Sequence, residues 1–378
     1  MSKLKGRIQL IKLLKLKRIY LLLLFPLSFL LIFIAKTSIF FAEQIYALHI
    51  YKWLSQIISL ITGLVPISLA ELLIIILPIV LIILLIKFII RIYRDREARK
   101  VNLAKGLINV LCMVSVLLFL FTILAGLNYY RYPFSYYSNL EIDKYSLEEL
   151  YDMTSQLAVQ ANDLRSSIPQ VNEDGVFKLS MSKYKLAKEA NKAMRKLSKE
   201  YPVFKGLYGS PKPILLSKLM SYTEITGIFI PFTMEANVNV DVPDYTIPFT
   251  MCHEMAHQRG FMREDEANYI GYLVGMSSDN VELMYSSTMY ALVTSGNALY
   301  RQAPDLYFEI ISSYSEGVVK DIRANINYWS KYEDNVISVI SDKVNDTYLK
   351  ANSQSDGVKS YGRMVDLLLA KYRADQAR

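Results

Sequence analysis

The chain has 378 residues, 52% of them apolar, and a formal net charge of +8. Its length leaves room for two modest domains, and its apolar residues are too unevenly spread for a single soluble one. The basic excess flanks long apolar runs, so it is assigned to membrane borders, and nucleic acid is excluded as a partner.

Residues 19–35, 67–90 and 107–127 each approach or exceed the roughly 18–20 apolar residues that cross a bilayer. They are predicted as three transmembrane helices. Pro26 and Pro78 fall inside spans, where a kink is tolerated if neighbours satisfy the freed carbonyl. The first run has the basic flank of a signal peptide, but no clear small-x-small cleavage site follows it. Lys3, Lys5, Arg7, Lys12, Lys15, Lys17 and Arg18 precede the first span, and Arg91, Arg94, Arg96, Arg99, Lys100 and Lys105 separate the second from the third. The positive-inside rule therefore predicts a cytoplasmic N-terminus and an extracytoplasmic domain after the third span. Between the first two spans, "IFFAEQIYALHIYKWLSQIISLITGL" is apolar and aromatic, and 37–66 is predicted as a segment lying at the outer interface. A re-entrant segment or a fourth span ranks behind that reading. The expected organisation is a membrane region, 1–129, with the lipid bilayer as a partner, and an outer domain, 130–378.

In the outer domain "NLEIDKYSLEELYDMTSQLAVQANDLRSSI" and "KLSMSKYKLAKEANKAMRKLSKEY" repeat apolar residues at helical spacing, the first with Ser146 as N-cap. "KPILLSKLM", "TGIFIPFTM" and "ANVNVDV" are short, β-branched and partly alternating, and are predicted as strands. Helical periodicity returns from Pro248. Helices, a small sheet and further helices predict an α+β domain. Cys112 lies in the third span and Cys252 beside the histidine motif, so no disulfide framework is expected.

Two of the three histidines occur in "TMCHEMAHQRGFMREDEAN". His253 and His257 share one helical face, so both imidazoles can reach one ion. Glu254 lies about 100° around the helix, where it can address water as a general base without ligating. Two imidazoles plus a carboxylate suit one Zn2+ per chain, with an open fourth position for catalysis. Gly260 can end this helix in a left-handed conformation. A second helix then offers Glu264 as third ligand, Ala267 for close approach, and Asn268 as a support for a ligating histidine. Glu266, about 200° from Glu264, ranks second.

These residues resemble the zincin metallopeptidases, and "EDEAN" resembles the glutamate-supplying helix of the gluzincin branch. In that branch the supporting residue is often Asp, where this chain has Asn268. The step from His257 to Glu264 is shorter than in thermolysin-like enzymes. Three spans followed by "GIFIPFTMEANVN" and "IPFTMCHEMAHQRGFMREDEAN" resemble a family of bacterial membrane proteins with a predicted zincin domain. The resemblance implies a zincin-like outer domain that hydrolyses peptide or protein substrates. It also implies an edge strand above the metal that pairs with extended substrate. Residues 227–239 are the candidate, with Glu235, Asn237 and Asn239 facing the cleft or solvent. Gluzincins often place a Tyr or His from the later helices against the developing oxyanion; Tyr361 and Arg363 are the candidates here. The competing reading is a non-catalytic zinc-binding membrane protein whose outer domain holds a peptide or envelope partner.

Overall fold

The computed structural model describes residues 17–333, 335–352 and 363–377. Its backbone divides into two compact units, one of residues 1–51 and 69–131, the other of residues 52–68 and 132–378.

In the first unit a 3-10 segment, Lys17–Leu23, leads into α1 (Leu24–Thr37), and a π-helical segment covers Phe41–Tyr51. In the second unit α2 is Lys52–Gly63. The first unit resumes with α3 (Leu69–Arg94) and α4 (Arg99–Leu124). Three helical stretches, Lys17–Thr37, Leu69–Arg94 and Arg99–Leu124, are long and apolar enough to cross a membrane. They match the predicted spans, the third beginning earlier than expected. Most of their leucines and isoleucines face outward, as lipid contact requires, and several of the polar groups find partners within the unit. Ser115 Oγ donates to the Leu21 carbonyl at 2.7 Å. Arg131 clasps the buried Glu43 carboxylate with two donors, at 2.8 and 3.1 Å. The chain is a membrane-anchored protein.

The predicted interfacial segment 37–66 divides between the units: residues up to Tyr51 pack with the apolar helices, and α2 packs with the rest of the chain.

The second unit continues with α5 (Phe134–Ser138), α6 (Leu147–Ser166) and α7 (Lys183–Glu200). Ser146 and Glu149 form a capping box at the start of α6, and Ser182 caps α7. A three-stranded sheet follows, made of β1 (Lys212–Pro213), β2 (Gly227–Ile230) and β3 (Glu235–Val238), with the short helix α8 (Ser217–Ser221) after β1. The strand order is β1-β3-β2, with β1 parallel and β2 antiparallel to the central β3.

Two strand expectations change. "KPILLSKLM" is a strand only at its first two residues before turning helical. Residues 227–239 are a hairpin, because Pro231 cannot donate to the ladder and Met234 turns the chain with φ +52°.

The helices α9 (Ile247–Gln258), α10 (Glu264–Met276) and α11 (Val281–Gln302) come next, followed by α12 (Pro304–Ser312), α13 (Glu316–Trp329), α14 (Val336–Ala351) and α15 (Met364–Gln376). The core gathers Leu150, Leu186, Met194, Met251, Phe261, Ile270, Met289 and Leu368 from six of these helices and the loop before α10. The sheet packs on α9, so the histidine helix lies between strands and helical body.

Candidate metal centre

Pro248 sits in the first turn of α9, where its missing N–H costs nothing. The helix carries His253, Glu254 and His257, then stops in a Schellman turn. The Phe261 N–H donates to the Ala256 carbonyl and the Gly260 N–H to that of His257, with Gly260 at φ +83°. This turn also orients His257. It brings the Phe261 carbonyl 2.8 Å from His257 Nδ1, so that Nδ1 carries the proton and Nε2 turns its lone pair toward His253 and Glu264.

Glu264 is the first residue of α10, three residues beyond that turn. The two Nε2 atoms stand 3.1 Å apart. Glu264 oxygens lie 3.3 Å from His253 Nε2 and 3.7 Å from His257 Nε2. Tetrahedral zinc with bonds of about 2.0–2.1 Å needs ligand–ligand edges of about 3.3–3.4 Å. The two Glu264 distances involve different oxygens, Oε2 toward His253 and Oε1 toward His257, so each separation is close to that edge. One donor atom from each residue lies within 4.8 Å of the others, and all three side chains are largely buried. Among the described residues this is the group of His, Cys, Asp and Glu side chains assembled closely enough to hold an ion. The donor set fits zinc.

Asn268 stands one turn after Glu264, and its Nδ2 and the His253 Nδ1 are both buried without a hydrogen-bond partner. Gly271 lets α10 press against α9: a Cβ there would sit 3.1 Å from the His253 nitrogen. With Ala267 and Gly275 it forms a small-residue row at every fourth position, and in the sequence only Ala267 drew notice.

Burial shapes the charge of each member. It holds His257 near the neutral form, down to about 4, with His253 adding to the effect and Glu264 opposing it. Burial also works against a charge on His253, but hydrogen bonding to Glu264 and the fields of Glu254 and Glu264 raise it. The Glu264 carboxyl is buried too, yet the two histidines hold it below the usual carboxylate range. Burial lifts Glu254 to about 8, against the attraction of His253, and Glu264 adds to the rise.

Glu254 faces β2. Its Oε1 would lie 2.5 Å from a Cβ at Gly227, so only glycine admits the carboxylate, and its Oε2 is buried without a partner. The Asn239 N–H donates to the Thr226 carbonyl, so antiparallel alternation turns the amides of Gly227 and Phe229 to the unpaired edge of β2. The Phe229 amide faces Glu254 there and lowers its carboxyl against the effect of burial.

The family model described as "Protein of unknown function (DUF3810)" matches residues 46–369. The chain belongs to the DUF3810 family. Searches of curated proteins and of solved structures found no match.

The remaining predicted residues of this DUF3810 chain fall elsewhere. Glu266 accepts from the Phe134 amide at 3.1 Å and pairs with Arg263, so it tethers α5 while Glu264 joins the histidines. Cys252 is fully buried in the core, where burial pushes its thiol up. Glu235, Asn237 and Asn239 neither face solvent nor bond the histidine group. They belong to the central strand and its continuation and are all buried. Glu235 is ion-paired to Lys212, Asn237 donates to the Ile228 carbonyl, and Asn239 donates to Ser221. Arg363 pairs with Asp265, holding the start of α15 to α10. Tyr361 lies outside the described residues. Tyr290 on α11 was not anticipated. Its ring stacks on Phe249 at 3.7 Å, its hydroxyl is raised by burial and by Glu264, and no periodicity separates it from the chain's other tyrosines.

Proposed function

We propose that this DUF3810 protein is a membrane-anchored, zinc-dependent peptidase that hydrolyses peptide bonds at the outer face of the membrane, within a zincin-like domain. The observation that carries the reading is the convergence of His253, His257 and Glu264 beside a second, non-ligating carboxylate, Glu254. A structural zinc needs no such carboxylate, whereas a hydrolase needs one at that place.

Zinc, when bound, supplies a Lewis acid that polarises a carbonyl and makes water nucleophilic near neutral pH. His253, His257 and Glu264 would hold it, and the Phe261 carbonyl fixes the His257 ring. An extended peptide pairs with the free edge of β2, which carries its carbonyl past Glu254. Glu254 takes the proton of the attacking water as the new C–O bond forms. It returns that proton to the amide nitrogen as the C–N bond breaks. Tyr290 donates its hydroxyl proton in a hydrogen bond to the oxyanion in between. The basic residues around Lys17 and between 91 and 105 support a cytoplasmic placement of those borders and an outward-facing metal centre.

The deciding experiment combines metal content with Glu254→Gln. The purified protein should bind about one zinc per chain and cleave a mixed-sequence fluorogenic peptide pool. Glu254→Gln should keep the zinc and lose the cleavage. Zinc binding with no Glu254-dependent hydrolysis would instead favour the non-catalytic, peptide-holding reading.

A further inference from the structure

The helix α2 is inverted. Ser55, Ser59 and Thr62 recur along one face and are buried. They dock on the unit that carries the metal centre: Ser59 accepts from the Gly209 amide at 3.0 Å, and Thr62 donates to the Thr233 carbonyl at 2.9 Å. Gln56 beside them accepts from the Leu207 amide at 2.8 Å. Lys212 Nζ donates to the carbonyls of Thr62 and Ile67, which anchors the end of the helix. The opposite stripe, Trp53, Ile57, Ile61 and Leu64, stands outward, with Trp53 68% and Leu64 84% exposed. Leu207 and Phe232, each next to a residue that bonds α2, extend this apolar surface and are also exposed. A soluble unit rarely leaves a contiguous surface of this kind bare.

The chain itself says what covers it. Residues 64–68 alone link α2 to the transmembrane helix α3, and such a linker spans roughly 20 Å at most, at about 3.5 Å per residue. An amphipathic helix with an outward Trp, held that close to a span, meets the boundary between headgroups and acyl chains. Phe232 lies in the β2–β3 turn, just past the strand whose Gly227 abuts Glu254. The apolar surface and the strand beside Glu254 therefore share a hairpin.

We infer that α2, with Leu207 and Phe232, docks into the bilayer surface, and that the cleft acts on membrane-anchored polypeptides close to where they leave the lipid. The choice of substrate rests on the peptidase reading; the docking does not.

Trp53 and Trp329 are the chain's two tryptophans, so full-length Trp329→Phe reports on Trp53 alone. The difference between wild type and Trp53→Phe gives the same signal without that variant. In phosphatidylcholine proteoliposomes with acyl chains brominated at carbons 6 and 7, Trp53 should lose most of its emission and resist acrylamide. Quenching by acrylamide but not by bromolipid would overturn the docking. Resistance to both would also overturn it, because a protein partner would then cover the face. The substrate arm uses the same peptide pool, free or tethered by a palmitoyl chain. The tethered pool should be cleaved at least about tenfold faster through its higher local concentration. Trp53→Lys with Ile61→Lys should erase that advantage and keep the free-pool rate. Equal rates for both pools in the wild type would overturn the substrate class. Bromolipid quenching with neither pool cleaved would overturn the peptidase reading and leave the docking standing.

Discussion

The Phe261 carbonyl lies 2.8 Å from His257 Nδ1, and the Gly260 turn that ends α9 puts it there. One local structure thus closes the helix, fixes the tautomer of His257 and shortens the path to Glu264. An L-residue at φ +83° is strained by roughly 1–2 kcal/mol, so Gly260→Ala should distort this turn. Zinc affinity should fall roughly 10–100-fold, the usual effect of losing such an outer contact. Competition against a fluorescent chelator measures it.

Glu264 and Glu266 are separated by the same assay. Glu264→Gln removes a charged ligand and should leave the protein well below one zinc per chain. Glu266→Gln should keep full zinc, because its carboxylate serves Phe134 and Arg263. The reverse pattern would reassign the third ligand.

Gly227→Ala probes the contact between β2 and Glu254, the proposed general base. The new methyl would fall 2.5 Å from Glu254 Oε1 and 2.6 Å from Thr250 Cγ2, so both side chains must yield. Zinc should remain bound while hydrolysis falls by roughly 100-fold or more, as for a displaced base. Steady-state rates at matched zinc content check this.

The sequence showed the motif, the spans and the Ser146 cap because each obeys a local rule: ligands at i and i+4, length against bilayer thickness, a hydroxyl before a helix. It misled where pairing is non-local. Glu235, Asn237 and Asn239 alternate like residues facing a cleft, yet β3 is central and buries both its faces, so these side chains turn inward to Lys212, Ile228 and Ser221. Tyr290 comes near Glu264 only through the packing of α11 and carries no periodic signal of its own. Likewise α2 reads as apolar from its stripe, and only its docked serines reveal which unit owns it.

Glu149 gives a pH dependence away from the metal. Arg373 and the Ser146 amide hold its carboxyl at about 2, against an ordinary 4.5. Because the folded value is the lower one, its contribution is present above pH 4.5 and is lost as pH falls toward 2. Glu149→Gln should lower the thermal midpoint at pH 6, and wild type and variant should converge near pH 2. Melting curves in detergent across that range test the sign.

Glu235 separates a structural role from a substrate role. Its carboxylate and the Lys212 ammonium are both buried, and Lys212 also holds the end of α2. Removing one partner of such a pair strands the other charge, at a cost of roughly 3–5 kcal/mol. Glu235→Ala should therefore lower the thermal midpoint by roughly 10 °C. KM should stay unchanged in assays below that midpoint, whereas a cleft-lining Glu235 would shift KM and spare the midpoint. Replacing both partners with apolar residues, Lys212→Met with Glu235→Leu, removes the stranded charge. The double variant should recover most of the lost stability, though not the hydrogen bonds to Thr62 and Ile67. A double variant no more stable than Glu235→Ala would mean that anchoring α2, rather than neutralising Glu235, is the main work of Lys212.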